Sequence, residues 1–428
     1  MFDIILNRLR DRKIVLLGFG REGKSSWSFI KKYLPDASVV IADKNAVSVE
    51  GNAELVSGPD YLQAIYDADI VIKSPGISLK DFDTKGIEIT SQTDLFMSQF
   101  HAQTIGVTGT KGKSTTTSLI YHLLKESGND AVLMGNIGIP CFDVMESMNP
   151  NSIAVYELSA HQLEYVHNSP KVGVLLNVFE EHLDHFGTME RYRNAKFNLL
   201  RYMRGGNHAI VHESLVEEAL RMGVDVWNFS DLKAEVDLDR LPILGLHNQQ
   251  NVKAALSACS MYFEGQRSME DSLKVFIPHL YSFKPLEHRL EPVGCFGGVR
   301  FYNDSISTIP QAAIAACTTL GRVDFLLLGG FDREIDYTPL VDFLSKVSIP
   351  YLLYTGKAGE RMMRQAQGLG GQWVPYSSME EAFDFIAHHA KEGDVCLLSP
   401  AAASYDQYKN FEERGRKFKT LATGFHIF

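Results

Sequence analysis

The chain has 428 residues, of which 45% are hydrophobic, and its formal net charge is −10. At about 100–200 residues per domain, this length allows two to four domains with sizeable cores and excludes a disordered chain. The acidic balance argues against a broad nucleic-acid interface, which needs a basic surface, so we expect no nucleic-acid partner.

The first stretch of the chain alternates short apolar strands with helices, which indicates a parallel α/β sheet. Strands are predicted at 13–18, 38–43 and 69–74. The sequence GFGREG, Gly18 to Gly23, matches G-x-G-x-x-G between a strand and a helix, and Asp43 ends the next strand about 20 residues on. A dinucleotide site, a related nucleotide or diphosphate site, and a purely structural turn all fit this pattern.

The second stretch opens with a strand at 104–109 and a helix from Ser114 to about Ser127. Between them, GVTGTKGKST is close to the phosphate-loop pattern G-x-x-x-x-G-K-S/T, but Val107 stands where the first glycine is expected. A strand, a glycine turn and a helix N-terminus present backbone N–H groups to a phosphate. Lys113 would reach the β- and γ-phosphates and Ser114 would bind Mg²⁺, although a glycine-rich surface turn is the alternative.

Polar residues follow the next two predicted strands, 152–157 and 172–177. Glu157 ends the first of these strands and could be an oxygen ligand of Mg²⁺. The second strand is followed by a group that could bind zinc, although a metal–phosphate site beside the glycine loop fits better: Asn177, Glu180, His182, Asp184 and His185. Lys196 would repel a nearby Mg²⁺ unless CO₂ converts its amine to an anionic carbamate; a surface lysine is the alternative.

Further along, residues 247–263 are predicted to form one buried helix, and from near Pro292 a second nucleotide-fold-like sheet repeats strand–helix units. Five cysteines are scattered without C-x-x-C spacing, which favours reduced thiols over a disulfide framework. The N-terminus lacks the order of a signal peptide, and no apolar run approaches the roughly 18 residues of a membrane helix. We therefore expect a cytoplasmic protein without a membrane span.

Several short motifs occur together in one order along essentially the whole chain: TGTKGKST, ELSAHQLE, NVFEEHLD, YRNAK, GLHNQQN, HRLE, YNDSI, LLLGGFDR and LSPAAASYDQY. In this order the chain resembles the Mur ligase family, in which T-G-T-x-G-K-S is the ordinary phosphate loop. The resemblance implies an α/β fold of three domains. These are a Rossmann-like UDP-substrate domain at 1–93, a central P-loop-type ATPase domain at 94–292, and a Rossmann-like amino-acid-binding domain at 293–428.

The resemblance also implies an activity, which is ATP-dependent addition of glutamate to UDP-N-acetylmuramoyl-L-alanine through an acyl phosphate, in peptidoglycan precursor synthesis. We expect the enzyme to be a monomer. Lys113, His182 and Lys196 are the implied catalytic residues. Two Mg²⁺ ions are implied, one held by Ser114 and Glu157 and the other by His182 and carbamylated Lys196.

The same resemblance assigns binding residues. ATP contacts are implied for Gly109, Thr110, Lys111, Gly112, Lys113, Ser114, Thr115, Asn248, Asn251, Arg289 and Asp304, of which Asn248 and Asn251 would contact the adenine. Contacts with the UDP-linked substrate are implied for Gly18, Arg21, Glu22, Lys44, Asn45, Ser74, Asn136 and His182. The amino-acid site is implied at Arg333, Ser404 and Phe411.

The chain departs from the family pattern at the amino-acid site. Arg333 stands where lysine is usual, Ile306 also replaces a common lysine, and Tyr405 replaces a common leucine. A carboxylate-bearing amino acid still fits because arginine grips a carboxylate with two parallel hydrogen bonds. D-glutamate is favoured over L-glutamate. Open alternatives are another Mur-type or folylpolyglutamate-type ligase, an NAD-dependent enzyme built on the GFGREG turn, and a non-catalytic nucleotide-binding scaffold.

Overall fold

The computed structural model describes residues 2–427 except 238, 239, 244, 367 and 369. The chain forms two compact units, Met1–Leu241 with His247–Phe283, and Pro242–Leu246 with Lys284–Phe428. The first unit contains two sheets and the second contains one. In the described part of the chain, every helix is too short or too polar to cross a membrane.

The first sheet is built from the N-terminal strands, in the order β3-β2-β1-β4-β5, and all its pairs are parallel. Its strands are β1 Ile14–Leu17, β2 Val39–Asp43, β3 Glu54–Ser57, β4 Ile70–Lys73 and β5 Ile89–Thr90. Its helices are α1 Asp3–Leu9, α2 Arg21–Tyr33 and α3 Gln92–Phe100. All four residues of β1 are buried, as expected for a central parallel strand that is covered on both faces.

The second sheet, in the order β11-β10-β9-β6-β8-β7, is also parallel throughout. Its strands are β6 Thr104–Thr108, β7 Ala131–Gly135, β8 Ile153–Glu157, β9 Val172–Leu175, β10 His208–Val211 and β11 Val226–Asn228. The helices of this region are α4 Lys113–Glu126, α5 Cys141–Val144, α6 Ala160–Leu163, α7 Leu183–Phe186, α8 Met189–Arg201, α9 Val216–Leu220, α10 Leu246–Tyr262 and α11 Met269–Leu280. The chain builds β7 and β8 on one side of β6 and then β9 to β11 on the other. The carboxyl end of β6 is therefore a topological switch point, where ligands of open α/β sheets bind.

The sheet of the second unit has the order β12-β13-β17-β14-β15-β16, and only the β12–β13 pair is antiparallel. Its strands are β12 Glu291–Phe296, β13 Val299–Asn303, β14 Phe325–Gly329, β15 Tyr351–Thr355, β16 Gln372–Pro375 and β17 Val395–Leu398. Its helices are α12 Pro310–Leu320, α13 Thr338–Leu344, α14 Gly356–Gln365, α15 Met379–His389 and α16 Phe411–Thr423. The predicted α/β class with parallel sheets is confirmed, whereas the three domain boundaries stay predictions.

Candidate active site

The glycine loop lies at the switch point of the second sheet, between β6 and α4. Gly109 has φ +155° and Gly112 has φ +85°, which are values that glycine adopts without strain. A side chain at Gly112 would also meet Asn251 Oδ1 at 2.5 Å. Val107 is a buried residue of β6, so the shifted glycine spacing leaves the strand intact. The strand, the glycine loop and the N-terminus of α4 are arranged as the sequence predicts, and such a turn can present backbone N–H groups to a phosphate.

The loop is braced from the carboxyl end of β9. The Asn177 side chain accepts a hydrogen bond from the Lys111 amide at 2.9 Å and donates one to the Lys111 carbonyl at 3.1 Å. Thr110 donates its amide to the Asn177 carbonyl at 3.0 Å, and the hydroxyls of Thr110 and Tyr192 are 3.0 Å apart. Asn177 and Tyr192 therefore fix the conformation of the loop. Neither bracing role was part of the predicted site.

Two lysines converge under the loop. Lys113 Nζ donates to the carbonyl oxygens of Gly109 and Thr110 at 2.9 and 3.0 Å. Lys196 Nζ, whose side chain is almost completely buried, donates to the same Gly109 oxygen at 2.9 Å. Burial, followed by the charge of Lys113, lowers the pKa of Lys196 to about 6. At neutral pH the Lys196 amine is therefore mostly uncharged, which is the form that can react with CO₂.

Glu157 supplies a buried carboxylate beside the loop. It ends β8 and pairs in register with Val107 of β6. Its Oε1 accepts a hydrogen bond from Asn136 Nδ2 at 3.0 Å, whereas the buried Oε2 accepts none from the described residues. Leaving such an oxygen without a partner is costly, and carboxylate oxygens are the ligands that Mg²⁺ prefers. The donor set at Glu157 therefore fits a Mg²⁺ ion.

His182 lies at the start of α7 in a left-handed conformation, with φ +59°. Its Nε2 is 3.7 Å from Glu181 Oε2, and Glu181 in turn pairs with Lys111 Nζ at 2.9 Å. Burial lowers the pKa of His182, which favours the neutral imidazole. The described residues contain no group of three or more His, Cys, Asp or Glu that could hold a metal ion, so they offer no zinc cluster.

The asparagines predicted to contact adenine lie at the start of α10, in the same unit. Asn251 is buried beneath Gly112 and accepts a hydrogen bond from Thr116 Oγ1 at 3.3 Å. Its Nδ2 donates to Asn248 Oδ1 at 2.8 Å. Asn251 thus packs against the glycine loop, and Asn248 holds the Asn251 side chain in place. Their predicted contact with adenine stays a prediction.

The GFGREG turn is a close-packed strand-to-helix connection. Gly18 has φ +89°, and its carbonyl oxygen accepts a hydrogen bond from Ser74 Oγ at 2.8 Å. A Cβ at Gly23 would fall on that same carbonyl, well inside van der Waals contact. Asp43 accepts hydrogen bonds from the amides of Phe19 and Asn45 at 2.7 and 2.9 Å. Its carboxylate therefore holds the turn.

The remaining residues predicted to bind the UDP-linked substrate differ in their surroundings. Lys44 and Asn45 are exposed after β2. Arg21 is also exposed, and it donates at 3.1 Å to the carbonyl of Gly138, which is the last residue of the GNIG segment, 135–138, that carries Asn136. Glu22 faces the interior, where burial raises its pKa and Gln162 donates to it at 2.7 Å. Glu22 therefore connects α2 to α6.

The predicted amino-acid site lies in the second unit. Arg333 follows β14, and its Nη2 donates to the Thr308 carbonyl at 2.8 Å. Ser404 is buried after β17, and Phe411 begins α16. The strands β13, β17 and β14 are neighbours, so the segments that carry Thr308, Ser404 and Arg333 follow adjacent strand ends.

Asp304, also in the second unit, is buried after β13. It accepts hydrogen bonds from Ser307 Oγ at 2.5 Å, Ser399 Oγ at 2.7 Å and the Leu290 amide at 3.0 Å. Burial outweighs these hydrogen bonds and raises the pKa of Asp304 to about 6. Arg289 is exposed next to Leu290. The predicted contacts of Asp304 and Arg289 with ATP stay predictions.

The fold and the braced loop define an α/β protein of parallel sheets with a glycine loop at a strand-to-helix turn. The Mur ligase middle domain matches residues 107–236. The chain is 33% identical to a UDP-N-acetylmuramoylalanine–D-glutamate ligase of Symbiobacterium thermophilum, covering 86% of each chain. It is 32% identical to a UDP-N-acetylmuramoyl-L-alanine–L-glutamate ligase of Salinispora tropica, covering 96% of this chain and 98% of the relative.

Among solved structures, the MurF ligase of Thermotoga maritima in complex with ADP aligns with a TM-score of 0.60 at 18% identity. The alignment covers 98% of this chain and 96% of that one, and it shows a shared fold. The chain therefore belongs to the Mur ligase family, and it is an ATP-dependent ligase that forms amide bonds.

Proposed function

We propose that this chain joins glutamate, in its D form, to UDP-N-acetylmuramoyl-L-alanine in peptidoglycan precursor synthesis. The observation that carries the proposal is the convergence of Lys113 and Lys196 on the Gly109 carbonyl, beside a buried Glu157 oxygen that accepts no hydrogen bond from the described residues. Relatives named for this reaction, at 30% identity or more over most of the chain, support the choice of substrates.

The proposed reaction has two steps. A carboxylate oxygen of the alanyl substrate attacks the γ-phosphorus of ATP, the bond to the β–γ bridging oxygen breaks, and ADP leaves. The amino group of glutamate then attacks the acyl phosphate carbon, so that an amide forms, phosphate leaves and the amine loses a proton. Phosphoryl transfer depends on positioning and charge neutralisation more than on covalent help from the protein. Lys113 is suited to neutralise the phosphate charge because its Nζ lies against the loop itself.

Metal binding follows from the donor set. Ser114 and Glu157 would hold one Mg²⁺ and His182 with carbamylated Lys196 the other. When bound, Mg²⁺ neutralises phosphate charge and orients the phosphate oxygens. The low pKa of Lys196 supports carbamylation because only an uncharged amine can attack CO₂. The resulting carbamate would be an oxygen ligand in place of a cation.

We further propose three functional regions. Residues 1–93 would bind the UDP moiety, with the glycine turn at Gly18 close to the diphosphate. Residues 94–292 would bind ATP, and residues 293–428 would bind glutamate through Arg333, Ser404 and Phe411. Four of the five cysteines are buried free thiols, which supports a reducing, cytoplasmic location. The enzyme would act as a monomer.

L-glutamate is the second candidate substrate. Two observations favour it: the Salinispora relative is named for L-glutamate, and Arg333 is anchored to Thr308 in a segment that also carries Ile306. These residues differ from the usual family pattern at the amino-acid site. D-glutamate remains the first choice, and the two enantiomers are compared directly in the Discussion.

Trapping of the acyl phosphate tests the mechanism. With UDP-N-acetylmuramoyl-L-alanine, Mg-ATP and hydroxylamine but no glutamate, the enzyme should release phosphate and form the hydroxamate of the substrate. The Lys113→Ala variant should form none. If the enzyme binds NAD and forms neither hydroxamate nor phosphate, the result would instead support the alternative of an NAD-dependent enzyme built on the GFGREG turn.

A further inference from the structure

One buried arginine contacts three strand ends in the second unit. Arg414 lies in α16, and its side chain is almost completely buried. Its Nε donates to Ser305 Oγ at 3.0 Å, and its Nη2 donates to the carbonyl oxygens of Ser305 and Ala402 at 2.9 and 3.1 Å. Its Nη1 makes longer contacts with the carbonyl oxygens of Gly329 and Ala403, at 3.5 and 3.4 Å.

The acceptors belong to three different segments. Ser305 follows β13, Gly329 ends β14, and Ala402 and Ala403 follow β17. In the sheet these strands are adjacent, in the order β13-β17-β14. The same segments carry the residues of the predicted amino-acid site, Arg333 after β14 and Ser404 after β17. A single side chain therefore holds together the backbone on which this site is built.

The packing around the guanidinium is tight. Phe331 donates its amide to the Ala403 carbonyl at 2.9 Å, so the β14 and β17 segments are also bonded to each other. Gly330 has φ +134°, and a Cβ there would lie 3.2 Å from Arg414 Nη1. Ala401 adopts a left-handed conformation with φ +54°, which costs a non-glycine residue about 1 kcal/mol or more. The arrangement must be held in place by its surroundings, and Arg414 bonds to the carbonyl of the next residue, Ala402.

The chemistry of arginine explains the choice of residue. Burial lowers the pKa of Arg414 to about 10, so the side chain stays charged at neutral pH. Burying this charge is unfavourable unless hydrogen bonds satisfy it. Lysine has the same charge but three donors on one nitrogen, whereas arginine has five donors spread over a planar fork. Only the fork can reach the three segments at once.

We infer that Arg414 is a positioning residue for the amino-acid site, which sets the spacing of the β13, β14 and β17 loops that would bind glutamate. The inference rests on the proposed glutamate ligase function. Asp304 precedes Ser305 on the same segment, but it keeps hydrogen bonds of its own from Ser307, Ser399 and the Leu290 amide. Loss of Arg414 should therefore affect glutamate binding more than ATP binding.

The test compares Arg414→Met and Arg414→Lys with a matched control in the same helix, Phe418→Leu. Phe418 is fully buried and packs against the rings of Phe301 and Phe383 in the core of the second unit. Both Arg414 variants should raise the KM for glutamate about tenfold or more, equivalent to about 1.4 kcal/mol, with the KM for ATP changed far less. Phe418→Leu should lower Tm and leave the KM for glutamate unchanged.

Amide hydrogen exchange supplies a readout that needs no activity. Residues 303–308, 329–334 and 400–408 should exchange faster in the Arg414 variants and not in Phe418→Leu. The inference is overturned if Arg414→Met matches Phe418→Leu in both measurements, or, should Arg414→Met not fold, if Arg414→Lys matches the wild type. If the wild type releases no phosphate with glutamate, the proposed function fails, and hydrogen exchange alone then decides the role of Arg414.

Discussion

Lys113 and Lys196 both place their Nζ atoms 2.9 Å from the carbonyl oxygen of Gly109. Burial disfavours the charged form of Lys196, and the ammonium group of Lys113 on the same carbonyl repels it further. The pKa of Lys196 falls to about 6 as a result. The structure thus favours the neutral amine of Lys196 beneath the same loop that Lys113 contacts.

Replacement of Lys196 by alanine should lower kcat at least about 100-fold because the proposed metal ligand is lost. Short carboxylic acids such as acetate should restore part of the activity by supplying the missing oxygen ligands. Lys171→Ala is the control, since Lys171 donates to the Tyr262 carbonyl and is not part of the proposed site. It should keep wild-type activity and show no response to acetate. Full activity of Lys196→Ala would contradict the carbamate role.

The stability of the free enzyme should depend on the protonation of Lys196. The folded-state pKa of about 6 lies below the ordinary 10.5, so between these values the unfolded chain binds a proton that the folded chain does not. The stability of the wild type should therefore rise with pH across this window. The destabilisation caused by burying the charged Lys196 is fully present below pH 6.

Lys196→Met removes this dependence. The free energy of unfolding of the variant should exceed that of the wild type by a larger amount at pH 6.5 than at pH 9. The excess should be up to about 3 kcal/mol larger at the lower pH. Urea unfolding in CO₂-free buffer without ATP or Mg²⁺ measures the difference. An equal difference at both pH values would show that Lys196 does not titrate in this range.

Arg333→Lys should raise the KM for glutamate about three- to tenfold with a much smaller change in the KM for ATP, since lysine cannot form two parallel hydrogen bonds to a carboxylate. Arg364→Lys is the matched control because Arg364 is exposed on α14 and pairs only loosely with Glu360, at 3.5 Å. It should leave both constants unchanged. If only the KM for ATP responds to Arg333→Lys, the residue does not bind the amino acid.

The glycine turn of the first sheet offers a matched pair of substitutions. Gly23→Ala places a methyl group against the Gly18 carbonyl and should cost about 1–3 kcal/mol of stability, with a raised KM for the UDP-linked substrate. Gly20→Ala meets no protein atom within 4 Å and should be close to neutral in stability. Urea unfolding and steady-state kinetics measure the two effects. Equal behaviour of the two variants would contradict the close packing of this turn.

Local sequence patterns were sufficient to predict the elements that carry the site. The run from Thr104 to about Ser127 predicts a strand, a glycine turn and a helix, and the helix begins at Lys113, one residue earlier than predicted. Apolar runs bounded by glycine and polar residues are strong local signals for buried parallel strands. The Gly297–Gly298 pair between β12 and β13 is also a known hairpin signal. The residues of β12 are exposed or only partly buried, so its sequence lacks the apolar run that predicts a buried strand.

Contacts between residues far apart in the chain cannot be predicted from local sequence patterns. Asn177 braces Lys111 from 66 residues away, and Lys196 reaches Gly109 from 87 residues away. No periodicity connects such pairs, and the role of Lys196 came from family resemblance. Arg414 lies in the charged run FEERGRKFK, which is typical of a solvated helix face. Arg414 is nevertheless buried because β13, β17 and β14 are neighbours in the sheet, which brings their ends together around its side chain.

The most direct test of the central claim is phosphate release from ATP by the wild type with UDP-N-acetylmuramoyl-L-alanine, comparing D-glutamate, L-glutamate and no amino acid. We predict release that depends on glutamate and is faster with D-glutamate. Release with L-glutamate alone would replace the first candidate substrate by the second. No glutamate-dependent release with either enantiomer would contradict the account of this chain as a glutamate ligase.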